Sequence, residues 1–427
     1  MFDHLVGIAG VGMSALAEAL ADSGRRVSGS DRFLDHATPV ASLDALRAAG
    51  VPLFPQDGSG VSAETARVIV STAIEETNPD LVAARRLGVP VVHRATALSE
   101  LLGSRALVAV AGTCGKSTTT AILGHLLAEA GLSPTVVNGA PCLNWMAPDR
   151  TGAVLKGEGD LCVAEVDESD RSLLAFRPKA VLLLNASADH FPLDETNALF
   201  DAFLRNVDGP VLDARALPPP EVREGPWSVS FPFRGLELTL PLPGAHNAAD
   251  ACLACEMAVR LGVPEEKLGP ALASFRGIAR RLERVGVRAD GVPVVDDYAH
   301  NTEKLRASLT ALQARCDRLL AVWRPHGYAP LRKMWDDLAA MFHAVLRPHD
   351  LLVLLPVFDA GGTAARDVSS EGFADRLREL DVPVECVDSV ETARTFLSAY
   401  VQPGDLLATL GARDPALPLL ARSLLKG

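Results

Sequence analysis

The sequence predicts an α/β protein of three domains, and three observations carry that reading. The chain of 427 residues is too long for a single ordinary core. Apolar runs of strand length alternate with helical stretches in three successive blocks, the pattern of parallel sheets covered by helices. Two glycine-rich loops each stand between such a strand and the helix after it, where backbone N–H groups can meet phosphate. With 48% hydrophobic and 22% charged residues, the composition suits packed cores and gives no support for disorder.

The first block, 1–104, opens with a strand over 5–8, a glycine loop, a helix over 14–23 and a strand over 26–30. Strand-like runs at 67–71 and 90–93 follow helical stretches, so a Rossmann-like parallel sheet is expected. Leu102-Gly103-Ser104-Arg105 reads as a linker. The second block, 105–286, begins with the apolar strand 106–111, the second glycine loop and a helix over 116–130. Runs at 160–165 and 180–184 have the continuous apolar character of buried parallel strands. Pro218-Pro219-Pro220 marks an excursion, with a small antiparallel addition around Trp227 and Leu238 before the helix that follows Gly244-Ala245-His246-Asn247. The third block, 287–427, alternates a strand over 292–295, a helix over 303–314, a strand over 318–322, a helix over 331–346, a strand over 351–355 and two further strand–helix units. It reads as a small doubly wound, Rossmann-like domain.

A net charge of −12 argues against a general nucleic-acid partner, since phosphate backbones recruit an excess of Lys and Arg. The stretch 5–21 is mostly apolar, but it lacks a basic flank, carries Glu18 and is interrupted by Gly7, Gly10 and Gly12. Neither a signal peptide nor a membrane insertion is expected. The seven cysteines are scattered; Cys252 and Cys255 share one helix face, where burial as small hydrophobes accounts for them better than a metal pair. A reduced, cytoplasmic protein is expected.

Gly10-Val11-Gly12-Met13-Ser14-Ala15 has the GxGxxA form, with Asp31 at the end of the next strand. Such glycines let backbone N–H groups approach a pyrophosphate, and the acid can accept hydrogen bonds from the ligand. A tight strand–helix turn without ligand is the other reading. Alone, the motif would suggest an NAD-dependent dehydrogenase. Gly112-Thr113-Cys114-Gly115-Lys116-Ser117-Thr118 is more specific, although Val110 occupies the first glycine position of a full phosphate-loop motif. Its lysine can reach a transferred phosphoryl group and its serine hydroxyl a Mg²⁺ ion. Cys114 reads as a small filler in the loop, not a nucleophile.

The order of motifs resembles the Mur ligase family over essentially the whole chain. Gly7-Ile8-Ala9-Gly10-Val11-Gly12-Met13-Ser14, Ser28-Gly29-Ser30-Asp31, Ser71-Thr72-Ala73-Ile74 and His93-Arg94-Ala95 are similar to that family's UDP-binding domain. The loop at 112–118 resembles its ATP loop; Ala164-Glu165-Val166-Asp167-Glu168-Ser169-Asp170 and Ala188-Asp189-His190 resemble its magnesium segments. Gly244-x-His246-Asn247, Arg280-Arg281-x-Glu283, Asp296-Asp297-Tyr298-Ala299-His300, Pro325-His326-x-Tyr328 and Gly411-Ala412-x-Asp414 continue the series.

The resemblance implies an N-terminal UDP-binding domain, a central ATPase domain and a C-terminal domain that closes on amino acid and nucleotide. It implies an ATP-dependent ligase that joins L-alanine, or a related amine, to the carboxylate of UDP-N-acetylmuramate through an acyl phosphate. Lys116, Glu165 and His190 would be catalytic, with Ser117, Glu165 and His190 holding Mg²⁺. Gly112, Thr113, Gly115, Lys116, Ser117, Thr118, Asn247, Arg281 and His300 would bind ATP. Gly10, Gly12, Met13, Ser14, Asp31, Ser71, Thr72, Ala73, Arg94, Tyr298 and His326 would bind the substrates. A monomer or weak homodimer is implied. Three departures bear on the amine: Cys114 and Asn301 stand where histidines are usual, and Gly327 and Pro330 replace two arginines near substrate charge. Arg324 or Arg332 is the nearest compensating candidate. A ligase for a recycled muropeptide and a weakened paralogue that senses UDP-sugar or ATP are the alternatives.

Overall fold

The computed structural model describes residues 1–35, 38–103, 105–187, 191–359 and 365–426. The chain forms three parallel-dominated sheets, and the third takes its first strand, Glu283–Val287, from the end of the predicted second block. In the first, the strands lie in the order Leu53–Phe54, Val27–Ser30, Phe2–Val6, Thr65–Val70 and Val91–His93, all parallel. The order reverses between Phe2–Val6 and Thr65–Val70, so the Gly10 loop and Ser71 emerge side by side at a topological switch point.

The helix Val11–Asp22 begins at Gly10 and buries Met13 through Leu20. A surface helix would bury one stripe. This one has apolar neighbours on two sides, its own sheet and the strands Thr135–Val137 and Val154–Leu155 of the second sheet. Its one buried acid, Glu18, accepts hydrogen bonds from the N–H (2.9 Å) and hydroxyl (2.5 Å) of Thr151 and pairs with Arg150 Nε at 2.8 Å. Arg150 also makes two bonds to Asp22, at 2.7 and 2.8 Å.

The second sheet runs in the order Val211–Asp213, Ala180–Leu183, Ala106–Ala111, Leu161–Glu165, Thr135–Val137 and Val154–Leu155, with only the last antiparallel. The helix Lys116–Glu129 is buried from Ser117 to Leu127 because the helices Ala245–Arg260 and Glu265–Ala273 cover its outer face. Val229–Phe233 and Leu236–Leu240 form the antiparallel addition. Cys255 lies in the core of the Ala245–Arg260 helix and Cys252 is half-buried on it.

Contacts divide the chain into two compact units. One comprises Met1–Arg223, Ser228–Pro241 and Ala245–Ile278; the other comprises Glu224–Trp227, Leu242–Gly244 and Ala279–Gly427. The second unit holds the third sheet, ordered Glu283–Val287, Pro293–Asp297, Asp405–Leu410, Arg318–Trp323, Leu351–Leu354 and Val384–Cys386. Its first strand is antiparallel and the rest are parallel. Trp323 packs against Phe342 and Phe373 at its centre.

The first strand, expected over 5–8, is Phe2–Val6 because the chain already turns at Gly7 (φ 76°), and one helix differs more. The helix expected over 331–346 is two helices, Tyr328–Lys333 and Trp335–Val345, separated at Met334 with φ −104°. Pro330 is accommodated because it falls in the first turn, where its missing N–H leaves no intrahelical bond unmade. Among the described residues no helix is long and apolar enough to cross a membrane.

The Glu18–Arg150 pair sets the contact between the first two sheets and is open to a double-mutant cycle. Arg150→Ala strands Glu18, which is only 4% exposed, with Thr151 as its sole partner. We expect a loss of about 2 kcal/mol in urea unfolding, with Glu18→Ala, Arg150→Ala together costing less than the sum of the singles. Additive losses would show that the pair contributes no coupling.

Candidate active site

The phosphate loop turns on two glycines with left-handed backbone, Gly112 at φ 142° and Gly115 at φ 83°. At Gly115 a Cβ would stand 2.4 Å from a carboxylate oxygen of Asp250, so only glycine fits there. Asn185, just beyond the strand Ala180–Leu183, holds the loop from the side. Its Oδ1 accepts from Cys114 N (2.9 Å) and Thr113 Oγ1 (2.8 Å), and its Nδ2 donates to Cys114 O (3.0 Å). Cys114 thus lies in the loop wall with its backbone held on both sides.

Lys116 Nζ donates to Gly112 O and to Glu168 Oε2, each at 2.7 Å, and lies 3.7 Å from Asp167 Oδ1. Burial pulls the ammonium towards neutrality, but Glu168, Asp167 and Glu165 outweigh it and raise its pKa. Burial pushes Glu168 upward too. Because its oxygen meets an ammonium that two further carboxylates keep charged, we take the pair as ionised. Asp167 is half-exposed; partial burial pushes it upward, but Lys116, its hydrogen bonds from Ser169 and the Arg94 guanidinium hold it below the usual range.

Glu165 ends the strand beside the phosphate-loop strand. Its Oε2 accepts from Ser117 Oγ (2.7 Å) and from Gly139 N (3.0 Å). A Cβ at Gly139 would lie 2.2 Å from that oxygen, so glycine is again the residue that permits the approach. The adjoining oxygens of Ser117 and Glu165 are of the kind that suits a hard cation such as Mg²⁺. His190 lies outside the described residues.

One cavity of about 280 Å³ joins this acid cluster to the N-terminal glycine loop. Gly10, Gly12, Met13, Ser71 and Arg94 line it from the first sheet, and Gly139, Glu165 and Asp167 from the second. The Arg94 guanidinium lies against Gly12, 2.8 Å from where a Cβ would be. Ser14 is buried and its hydroxyl donates to Val11 O, so it closes the helix turn and does not line the cavity. Asp31 is spent on the loop itself, accepting from Ala9 N (2.9 Å) and Phe33 N (3.1 Å), and burial raises its pKa despite those bonds. Thr72 and Ala73 are exposed beyond the cavity wall. Thr118 is buried in the first turn after the loop, and Asn247 in the first turn of the helix Ala245–Arg260.

The second unit gathers the other candidates at the carboxyl edge of its sheet. Arg280 and Arg281 stack on the Tyr298 ring at 5.1 and 5.3 Å, and the rings of His300 and His326 meet edge-on at 4.7 Å. Burial, reinforced by Lys304, drives His300 down to about 3; burial followed by Arg413 and Lys304 drives His326 down to about 4. Both imidazoles are therefore neutral at physiological pH. Asp297 accepts from Leu282 N, Ala299 N and Ser308 Oγ, which makes it a brace for the backbone around Tyr298. Asn301 caps the helix Thr302–Gln313 by accepting from Lys304 N (3.0 Å).

Both compensating candidates carry ion pairs. Arg324 is held by Asp414 (2.7 Å) and Pro356 O (3.0 Å), and Arg332 by Asp367 and Ala365 O. Sequence alone assigns no role to Glu168, Asn185 or Gly139. No local signal says which of the acids at 165–170 turns towards Lys116.

Residues 4–105 match the model of the Mur ligase family, catalytic domain, and residues 280–413 that of the Mur ligase, glutamate ligase domain. The UDP-N-acetylmuramate–L-alanine ligase of Allorhizobium ampelinum is 33% identical, with 96% of this chain and 93% of that protein covered. Its namesake from Streptomyces coelicolor is 34% identical, with 96% and 94% covered. The crystal structure of UDP-N-acetylmuramate-alanine ligase from Thermotoga maritima superposes with a TM-score of 0.83 at 25% identity, covering 100% of this chain and 98% of that one. A murein peptide ligase from Psychrobacter arcticus, 21% identical with a TM-score of 0.68 and the same coverage, shares the fold.

The two neutral histidines predict a pH response. Their folded pKa values lie below the ordinary 6.5, so the unfolded chain takes up their protons first as pH falls. Their contribution to stability is whole above pH 6.5 and is lost as pH falls towards about 4 and then 3. Urea midpoints measured from pH 7.5 to 4.5 should fall less steeply for His326→Gln than for the wild type; an equal slope would contradict the assignment.

Proposed function

The chain belongs to the Mur ligase family, and from that premise we propose that it joins L-alanine to the carboxylate of UDP-N-acetylmuramate, using ATP and Mg²⁺. The observation that carries the proposal is the shared cavity. A glycine loop suited to a pyrophosphate and an acid cluster beside a phosphate loop open into the same 280 Å³ space. A UDP-linked acid and the terminal phosphate of ATP can therefore be brought together there. Membership of a ligase family removes the hydride-transfer reading of the N-terminal loop.

In the first step a carboxylate oxygen of the sugar acid attacks the γ-phosphorus. The new O–P bond forms as the bond to the bridging oxygen breaks, and ADP leaves with the electron pair. In the second step the neutral amine attacks the acyl carbon, C–N forms, C–O breaks, and inorganic phosphate departs as the amine sheds a proton. Lys116 exchanges Glu168 for the phosphoryl oxygens and offsets their charge. The backbone N–H groups of 112–118, held by Asn185, cradle the phosphates. Arg94, between Gly12 and Asp167, orients the acceptor. Ser117 and Glu165, with His190 by resemblance alone, would hold Mg²⁺, which supplies charge neutralisation to phosphate and carboxylate when bound. Asn247, Arg281 and His300 are assigned to the nucleotide, and Tyr298 and His326 to the incoming amino acid. A polar cavity of about 240 Å³ beside Asp31, lined by Arg32, Gln56 and Asn78, offers donors and acceptors to the nucleoside.

The division into a UDP-sugar domain (1–104), an ATP domain (105–286) and a C-terminal closing domain (287–427) belongs to this reading, as do a cytoplasmic setting and a monomer or weak homodimer. A ligation panel tests it, with UDP-N-acetylmuramate, ATP and Mg²⁺ together with L-alanine, glycine, L-serine or the recycled tripeptide. Turnover should be greatest with L-alanine; phosphate release that needs neither acid nor amine would refute the ligase, and turnover with the tripeptide alone would move it to the recycling reaction. Lys116→Ala should lower kcat by about a thousandfold or more while UDP-sugar affinity stays within about twofold.

A further inference from the structure

Three residues far apart in sequence stand past the same edge of the second unit's sheet. The register aligns Asp297, Leu410 and Trp323 across three neighbouring parallel strands. Three residues past each of these stand His300, Arg413 and His326. The strands carrying the two histidines are separated by Asp405–Leu410, yet their rings close to 4.7 Å. They therefore meet over the end of that middle strand, where the chain emerges towards Arg413.

Arg413 adopts φ 67°, a conformation that favours glycine, immediately after Gly411 and Ala412. Its neighbours among the arginines are committed. Arg280 is held by Asp296, Arg324 by Asp414, Arg332 by Asp367 and Arg366 by Asp359, while Arg281 lies over the Tyr298 ring. Among the described residues the Arg413 guanidinium makes no hydrogen bond or ion pair. It is exposed, and its charge acts on His326.

We propose that Arg413 is a specificity-determining residue that binds the carboxylate of the incoming amino acid beside the uncharged ring of His326. The proposal rests on the ligase reading above. An amino-acid substrate brings a carboxylate that must be neutralised and an amine that must be deprotonated to attack. A guanidinium serves the first need with paired donors and does not take up the proton the amine must lose. Gly327 and Pro330 supply no charge in the neighbouring segment, and Arg324 and Arg332 are bound elsewhere. The site so built recognises an α-carboxylate through one guanidinium from the Gly411–Asp414 turn.

The test compares wild type, Arg413→Gly and Arg413→Lys in the ligation assay. Glycine suits φ 67°, so the variant should retain its Tm or gain a little, which separates a binding defect from a folding one. For Arg413→Gly the KM for L-alanine should rise at least about tenfold, with KM for ATP and for the UDP-sugar within about twofold. Arg413→Lys should recover part of the loss. With L-alaninamide, which lacks the carboxylate, wild type and Arg413→Gly should turn over alike. An unchanged L-alanine KM, an increase confined to the ATP KM, or an equal defect with the amide would each overturn the assignment of Arg413 while leaving the ligase reading intact. A wild-type chain that ligates no amino acid of the panel would instead refute the ligase reading.

Discussion

Glu18 sits on a helix buried on two sides, and its carboxylate finds its hydrogen-bond partners in the second sheet, at Thr151 and Arg150. A carboxylate so deeply buried is costly unless it is paired. That cost makes the contact selective. The helix Val11–Asp22 docks against Thr135–Val137 and Val154–Leu155 in the register that satisfies Glu18. Because the glycine loop is the N-terminus of this same helix, docking sets where the loop lies relative to Gly139, which precedes the Thr151 segment in the central sheet. The cavity between Gly12 and Glu165 follows from that placement.

Inside the cavity the charges are arranged around Lys116. Three acids hold it cationic, and its charge in turn favours the ionised form of two of them, the buried Glu168 and the half-exposed Asp167. Anionic phosphate oxygens entering this cluster meet a lysine already charged, with its partner oxygens free to exchange. The two glycines at 115 and 139 serve the same arrangement, since each admits a carboxylate where a Cβ would stand. Asn185 keeps the loop from collapsing by bonding both backbone groups of Cys114.

The second unit meets a different requirement. Its edge has neutral imidazoles, stacked arginines and a braced Asp297 in place of a glycine loop, so it is suited to orienting a small polar molecule without a phosphate cradle. The departures in sequence have structural explanations. Asn301 is a helix cap, and Pro330 is tolerated because a helix begins at Tyr328. Arg413, proposed above to take the amino-acid carboxylate, lies in the turn after the strand Asp405–Leu410, away from the segment of Gly327 and Pro330.

Both glycine loops and the alternation of strands and helices were legible in the sequence because they are local demands. A left-handed backbone between strand and helix needs glycine within a few residues, and a buried parallel strand needs a continuous apolar run. The phosphate loop and the fold class could therefore be read residue by residue, whereas the role of Glu165 came from the family resemblance. The short helix at Tyr328 was missed because Pro330 reads as a breaker until its place in the first turn is known. Only the tertiary structure decided the partners: Glu168 reaches Lys116 across 52 positions, and Glu18 reaches Thr151 across 133. Those pairings are set by the order of strands within a sheet and by which helix faces are covered, and both are properties of the whole fold that no local pattern encodes.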